Sequence, residues 1–126
     1  MISAVQNVAI DCADAHGLAL FWSRATGAPM DPGARPGDRE TQVTLGTGLV
    51  LYFNQVPEPK TAKNRVHLCL RPDTTRDAET DRLLALGATP VADHREPDGT
   101  GWRVLADPEG NEFCVLRGDE ERVAGG

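Results

Sequence analysis

The sequence predicts an α+β protein built from two copies of one plan, and three observations carry that expectation. Short runs alternate apolar and polar residues at period two, the spacing of a half-buried strand. Each half follows its first such run with a helical pattern that has its own start and stop signals. The halves also match at a fixed offset of 60 positions, Asn7 with His67 and Gly27-Ala28 with Gly87-Ala88.

The first half opens on Val5 to Cys12, where Val8, Ile10 and Cys12 share an apolar face and Asn7, Ala9 and Asp11 share the other. Asp14 stands where an N-cap belongs, Leu18, Phe21, Trp22 and Ala25 follow at helical spacing, and Gly27 ends the helix. Thr41 to Leu45 and Leu49 to Asn54 read as short strands joined by a Gly46-Thr47-Gly48 turn. Between helix and strands, Met30 to Glu40 is rich in Pro, Gly and charge and is expected to be a mobile loop.

In the second half Arg65 to Leu70 alternates, with Val66, Leu68 and Leu70 on one face. Asp73 or Thr74 then opens a helix carrying Ala78, Leu83 and Leu86, and Gly87 closes it. Thr89 to Asp93, Trp102 to Ala106 and Glu112 to Leu116 are strands, the last two joined by an Asp107-Pro108-Glu109-Gly110 turn. Pro57 to Lys63 links the halves. The polar tail from Arg117 onward is expected to fray, and its Arg117-Gly118-Asp119 triplet is not read as an adhesion motif. Each half alone buries one sheet face under its helix, and two such halves can close their sheets around a concave cavity.

Composition narrows the function. A chain of 126 residues with 40% hydrophobic and 25% charged residues fits one globular domain. A net charge of −6, with Lys and Arg scattered rather than clustered, argues against a nucleic-acid partner. No apolar run approaches the roughly 20 residues that span a bilayer, so no membrane partner is expected. The opening Met-Ile-Ser-Ala-Val-Gln has neither a basic segment nor an apolar core, which points to the cytoplasm. Cys12, Cys69 and Cys114 are an odd set without CxxC spacing and read as reduced thiols.

Several stretches, taken together, resemble a known superfamily: Phe21-Trp22 and Gly27, Pro57-Glu58-Pro59-Lys60, Lys63-Asn64-Arg65-Val66-His67-Leu68, Leu86-Gly87-Ala88, and Asp107-Pro108-Glu109-Gly110-Asn111-Glu112-Phe113-Cys114. They look like the glyoxalase-like branch of the vicinal oxygen chelate superfamily, which includes glyoxalase I, extradiol dioxygenases and bleomycin-type resistance proteins. The resemblance runs from Val5 to Leu116. It implies one domain of two tandem βαβββ modules, about residues 4–56 and 64–117, whose curved mixed sheet surrounds a cavity with the helices outside.

In metal-dependent members each module supplies one ligand from its first strand and one from its last. By this resemblance the first-strand places fall on Asn7 and His67, and the last-strand places on Tyr52 and Cys114, four residues after Gly48 and Gly110. Only His67 is a donor of the imidazole-and-oxygen kind that a hard divalent ion takes, so no metal or other cofactor is expected. A divalent metal, if bound, would rest on a rearranged set of His67, Glu112 and Asp11. Bland roles stand beside these. His67 can be a cavity-wall histidine bonded to a neighbour such as Asp11, and Glu112 can pair with Arg65 or Arg103. Cys69 and Cys114 lack an adjacent base and read as small lining residues rather than nucleophiles. Trp22 packs its helix, while Tyr52 and Trp102, on late strands, are better placed to touch a ligand.

The expected function is therefore binding of a small molecule in the sheet cavity by Asn7, Asp11, Tyr52, His67, Trp102 and Cys114, as the resistance proteins of the superfamily bind without chemistry. The alternative is a metal-dependent lyase, isomerase or dioxygenase, with His67 and Glu112 as catalytic candidates. A dimerising scaffold with an empty cavity is a third class that nothing in the sequence demands. A homodimer is expected from the way members of the superfamily pair.

Overall fold

The computed structural model describes residues 2–122. The chain divides into two compact units at the Thr61–Ala62 boundary.

The first unit runs β1 (Asn7–Cys12), α1 (Ala15–Thr26), β2 (Glu40–Thr44) and β3 (Val50–Gln55). Its sheet has the order β1-β3-β2, with β1 parallel to β3 and β2 antiparallel to it. Asp14 caps α1 through its carboxylate, which accepts the Gly17 N–H at 3.1 Å. At the other end Gly27 sits at φ 71°, the left-handed conformation that glycine adopts without a Cβ penalty, and donates to the Ser23 carbonyl. Leu18, Phe21, Trp22 and Ala25 are buried on one side of α1, as their spacing predicts. Phe21 and Trp22 meet edge to face at 5.3 Å, and Val43, Leu51 and Phe53 of the sheet are fully buried.

The second unit runs β4 (Cys69–Leu70), α2 (Arg76–Leu86), β5 (Thr89–Asp93), β6 (Trp102–Ala106) and β7 (Glu112–Leu116), then a 3-10 turn at Asp119–Glu121. Its open sheet has the order β4-β7-β6-β5, again with the first strand parallel to the last. In both units the helix carries the chain back across the sheet, which is what a parallel pairing of first and last strand requires. No helix among the described residues is long and apolar enough to cross a membrane.

Four local expectations change. The strand expected from Arg65 shrinks to Cys69–Leu70, and Val66 is 77% exposed. The reason is a diverted donor. Cys114 N–H reaches the Leu68 carbonyl in the parallel ladder, but the next N–H on that side, Glu112, is taken by the Asn64 side chain at 3.3 Å. The N-cap of α2 is Thr75, not Asp73 or Thr74, because its hydroxyl accepts the Ala78 N–H at 3.1 Å. Ala78 itself is exposed, and α2 buries Arg76, Thr80 and Leu83. The start of the tail is anchored rather than frayed: the Glu121 carboxylate accepts N–H bonds from Gly118 at 2.9 Å and Arg76 at 2.5 Å. Residues 123–126 of that tail lie outside the described residues.

The units also differ by one strand. Where the second has β5, the first has an isolated bridge, Met30 to Val43, flanked by bonds from Thr44 N–H to the Pro29 carbonyl and from Asp31 N–H to the Gln42 carbonyl. Pro29 and Pro32 have no N–H to extend that ladder. The segment continues to Arg39 without regular secondary structure, tied locally by the Asp31 and Asp38 carboxylates.

Candidate functional site

In the first unit the register sets Asn7 beside Val50, and Ala9 and Gln42 beside Tyr52. Side chains alternate across a strand, so these residues share the face opposite buried Val43, Leu51 and Phe53. Together with Gln6, residues Asn7, Gln42, Val50 and Tyr52 line a cavity of about 310 Å³. The Tyr52 hydroxyl donates to the Glu40 carboxylate. That bond, then burial, then the charge of Glu40 hold the phenol above its ordinary value, so it keeps its proton at neutral pH. Asp11, on the same face, accepts from the Asn54 amide at 3.5 Å.

The second unit is organised by the buried Asp107 carboxylate, which accepts the backbone N–H groups of Glu109 and Asn111 and the Asn111 side-chain amide. The oriented Asn111 oxygen then accepts from the Asn64 amide at 3.2 Å. The two motifs that stand far apart in the chain, at residues 63–68 and 107–114, are thus sewn together by side-chain amides. The stitch puts Lys63 on Glu112 as an ion pair, in place of the expected Arg65 or Arg103. Arg103 instead leans toward Asp93, at 3.8 Å.

On the Glu112 face of that sheet, Cys114 lies directly across from Cys69, and His67 precedes Cys69 by two residues. The ring nitrogen of His67 and the two sulfurs lie within 4.8 Å of one another. His67 and Cys69 are exposed and Cys114 is buried. Burial first, and then the neighbouring Cys69 thiol, push the Cys114 thiol up to about 11, so it is protonated at neutral pH and is no nucleophile. Within its own unit His67 makes no hydrogen bond among the described residues, and in the first unit Asp11 is bonded to Asn54. Trp102 is 44% exposed and meets the His94 ring at a 39° tilt, ring centres 5.3 Å apart.

Tyr52 pairs with Ala9, and Cys114 with Cys69, so the two last-strand residues hold the same place in their units. The four places that the resemblance assigns to metal ligands, Asn7, Tyr52, His67 and Cys114, carry an amide, a phenol, an imidazole and a thiol. This set does not fit a hard divalent ion, which takes carboxylate oxygen and imidazole, and the phenol is already committed to Glu40. Sequence reasoning placed His67 and Cys114 at ligand positions and read Cys69 as a small lining residue beside Cys114, but missed it as a third donor. The signal was there: His67-Leu68-Cys69 puts two donors on one face at period two.

Two units of first strand, helix and antiparallel strands, related by an internal repeat, define the vicinal oxygen chelate class. Within it the chain belongs to the glyoxalase-like domain family, whose model matches residues 7–116. Its fold is shared with a glyoxalase/bleomycin resistance protein/dioxygenase family enzyme from Burkholderia phytofirmans, at 21% identity, TM-score 0.72, and coverage of 90% of this chain and 97% of that one. A possible glyoxalase from Bacillus cereus matches at 16% identity and TM-score 0.69, covering 91% of this chain and 99% of its own. A fosfomycin resistance protein from Listeria monocytogenes, solved with Mn(II) and 1S,2S-dihydroxypropylphosphonic acid, matches at 17% identity and TM-score 0.70, covering 94% and 92%. No match is found among curated proteins.

Proposed function

We propose that the chain binds a small, uncharged, hydrogen-bonding molecule on the open sheet face of its first unit, without the family's four-donor hard-metal site. The observation that carries this reading is the cavity of about 310 Å³ walled by Gln6, Asn7, Gln42, Val50 and Tyr52. Three amides and a phenol ring offer donors, acceptors and a flat apolar surface, the mixture that fixes a small ligand's orientation. The lining has no charged side chain to match an ionic ligand, and the nearby Glu40 carboxylate is engaged by the Tyr52 hydroxyl. Asp11 and Asn54, on the same face, extend the polar surface.

The test is a thermal-shift screen of neutral metabolites followed by calorimetry on the best ligand. Asn7→Ala and Gln42→Ala are expected to weaken binding about tenfold each, the effect of losing one hydrogen bond of about 1.4 kcal/mol. Binding that ignores both substitutions would move the ligand elsewhere and sink the proposal. The metal-dependent reading, with His67, Glu112 and Asp11 serving lyase, isomerase or dioxygenase chemistry, draws on the Mn(II)-bound Listeria neighbour. It demands stoichiometric hard divalent metal that His67→Ala removes.

The two units are proposed to serve as modules of one glyoxalase-like domain, acting as a homodimer in the cytoplasm, where the free thiols Cys12, Cys69 and Cys114 stay reduced. Light scattering at micromolar concentration tests the dimer, and a monomer mass would remove it.

A further inference from the structure

We propose that His67, Cys69 and Cys114 form a soft-metal site for a zinc(II)-class cation, with all three ligands drawn from the second unit. It differs from the superfamily's site in its donors and in drawing all its ligands from one unit. Cys69 lies outside the four superfamily ligand places, yet it is the residue that turns an isolated imidazole and an isolated thiol into a cluster.

Chain geometry sets two of the three donors. Cys69 and Cys114 are register partners on the parallel pair β4 and β7, which fixes their spacing by the ladder rather than by flexible side chains. His67, two residues before Cys69 and just outside β4, brings its ring nitrogen to the two sulfurs. The approach of this segment to β7 is in turn fixed by the Asn64 bonds to Asn111 and to the Glu112 N–H. The three donor atoms lie within 4.8 Å of one another. A tetrahedral zinc ion with Zn–S near 2.3 Å wants sulfurs about 3.8 Å apart, so small side-chain rotations suffice to close the set.

The chemistry of the donors selects the ion. Two sulfurs and an imidazole prefer zinc(II) over magnesium, calcium or manganese, which take oxygen. On binding, each thiol loses its proton to solvent, two Zn–S bonds and one Zn–N bond form, and bound waters leave; two thiolates balance the double positive charge. Glu112 shares the Cys114 face but is paired with Lys63, so the fourth position falls to water. His67 and Cys69 are exposed, which gives the ion an entry path, while Cys114 forms the buried floor.

The experiment uses the full chain, reduced with a phosphine and freed of metal as verified by elemental analysis. Cobalt(II) is titrated as a spectroscopic stand-in, then displaced with zinc(II). One equivalent of cobalt is expected to produce a thiolate-to-cobalt charge-transfer band that zinc abolishes. Cys69→Ser is expected to remove the band and His67→Ala to weaken binding at least tenfold, whereas Cys12→Ser, in the other unit, keeps it. Both altered ligands are exposed, and circular dichroism melts confirm that the variants fold. Absence of the band in the parent chain, or its persistence in Cys69→Ser, overturns the site. Ligand binding in the first unit is read separately, by calorimetry on the metal-free chain, so failure here is distinguishable from failure of the cavity proposal.

Discussion

Helices α1 and α2 hold the same place in the two halves, their closing glycines Gly27 and Gly87 standing 60 residues apart, but they are seated differently. The buried face of α1 is Leu18, Phe21 and Trp22 with three alanines; that of α2 is Arg76, Thr80 and Leu83. An apolar face is held by removal of area from water and tolerates imprecise neighbours. A buried guanidinium needs named acceptors. Arg76 finds them in the Gly99 and Gly101 carbonyls, at 3.1 and 3.2 Å, and its backbone N–H is capped by Glu121. Its Nε and the Thr80 hydroxyl still have no partner among the described residues. One sequence plan can thus be stabilised by a generic core in one copy and by specific polar bonds in the other.

The largest test of this contrast is Trp22→Ala. Trp22 is 2% exposed, and its removal is expected to cost about 3–5 kcal/mol in denaturant unfolding followed by circular dichroism. A loss below about 1 kcal/mol would mean that α1 is not held mainly by its apolar face. Next comes Arg76→Met, which keeps the apolar stem and strips two carbonyls of their donor. The expected loss is about 1–3 kcal/mol, with faster amide exchange concentrated in residues 94–101. Exchange that rises equally everywhere would show that Arg76 does not pin that loop.

The caps should equalise the two helices. Asp14→Ala and Thr75→Ala each remove one side-chain acceptor from a backbone N–H, and each is expected to cost about 1 kcal/mol by the same unfolding measurement. A large inequality would mean that the polar face of α2 changes how much its cap matters. The smallest effect is acid sensitivity of the second unit. Arg95, by side-chain and then backbone hydrogen bonding, lowers the Asp93 carboxyl from the ordinary 3.8 to about 2, and Arg95 also binds Asp77 of α2 at 2.7 Å. Because the folded value is depressed, this contribution is present above pH 4 and fades as pH falls through about 2. The group is solvent-exposed and screened, so the expected sign is a shallow loss that Asp93→Asn abolishes, read as apparent melting temperature against pH.

Much of this architecture was legible along the chain. The strands at Thr89–Asp93, Trp102–Ala106 and Glu112–Leu116 fall where the sequence and its intervening turn place them, and Asp14 and Gly27 cap α1 as their chemistry predicts. Patterning failed at Val66, because a strand needs a partner N–H and the Asn64 side chain had taken it. It also failed on α2: Ala78 fits an apolar helical stripe, yet the buried positions went to Arg76 and Thr80, whose polarity hides them from any hydrophobic count.

Periodicity, caps and the offset repeat are local properties, since each depends on residues a few positions apart; by itself the sequence determined from them the two-copy plan, the helices and the faces of most strands. Which residues meet was decided only by the tertiary structure. Cys69 faces Cys114 because of parallel strand register, Lys63 reaches Glu112 because Asn64 and Asn111 bond, and the Glu40 carboxylate takes the Tyr52 hydroxyl across β2 and β3. Each of these pairings joins elements distant along the chain, and a ladder shifted by one residue would turn its side chains to opposite faces.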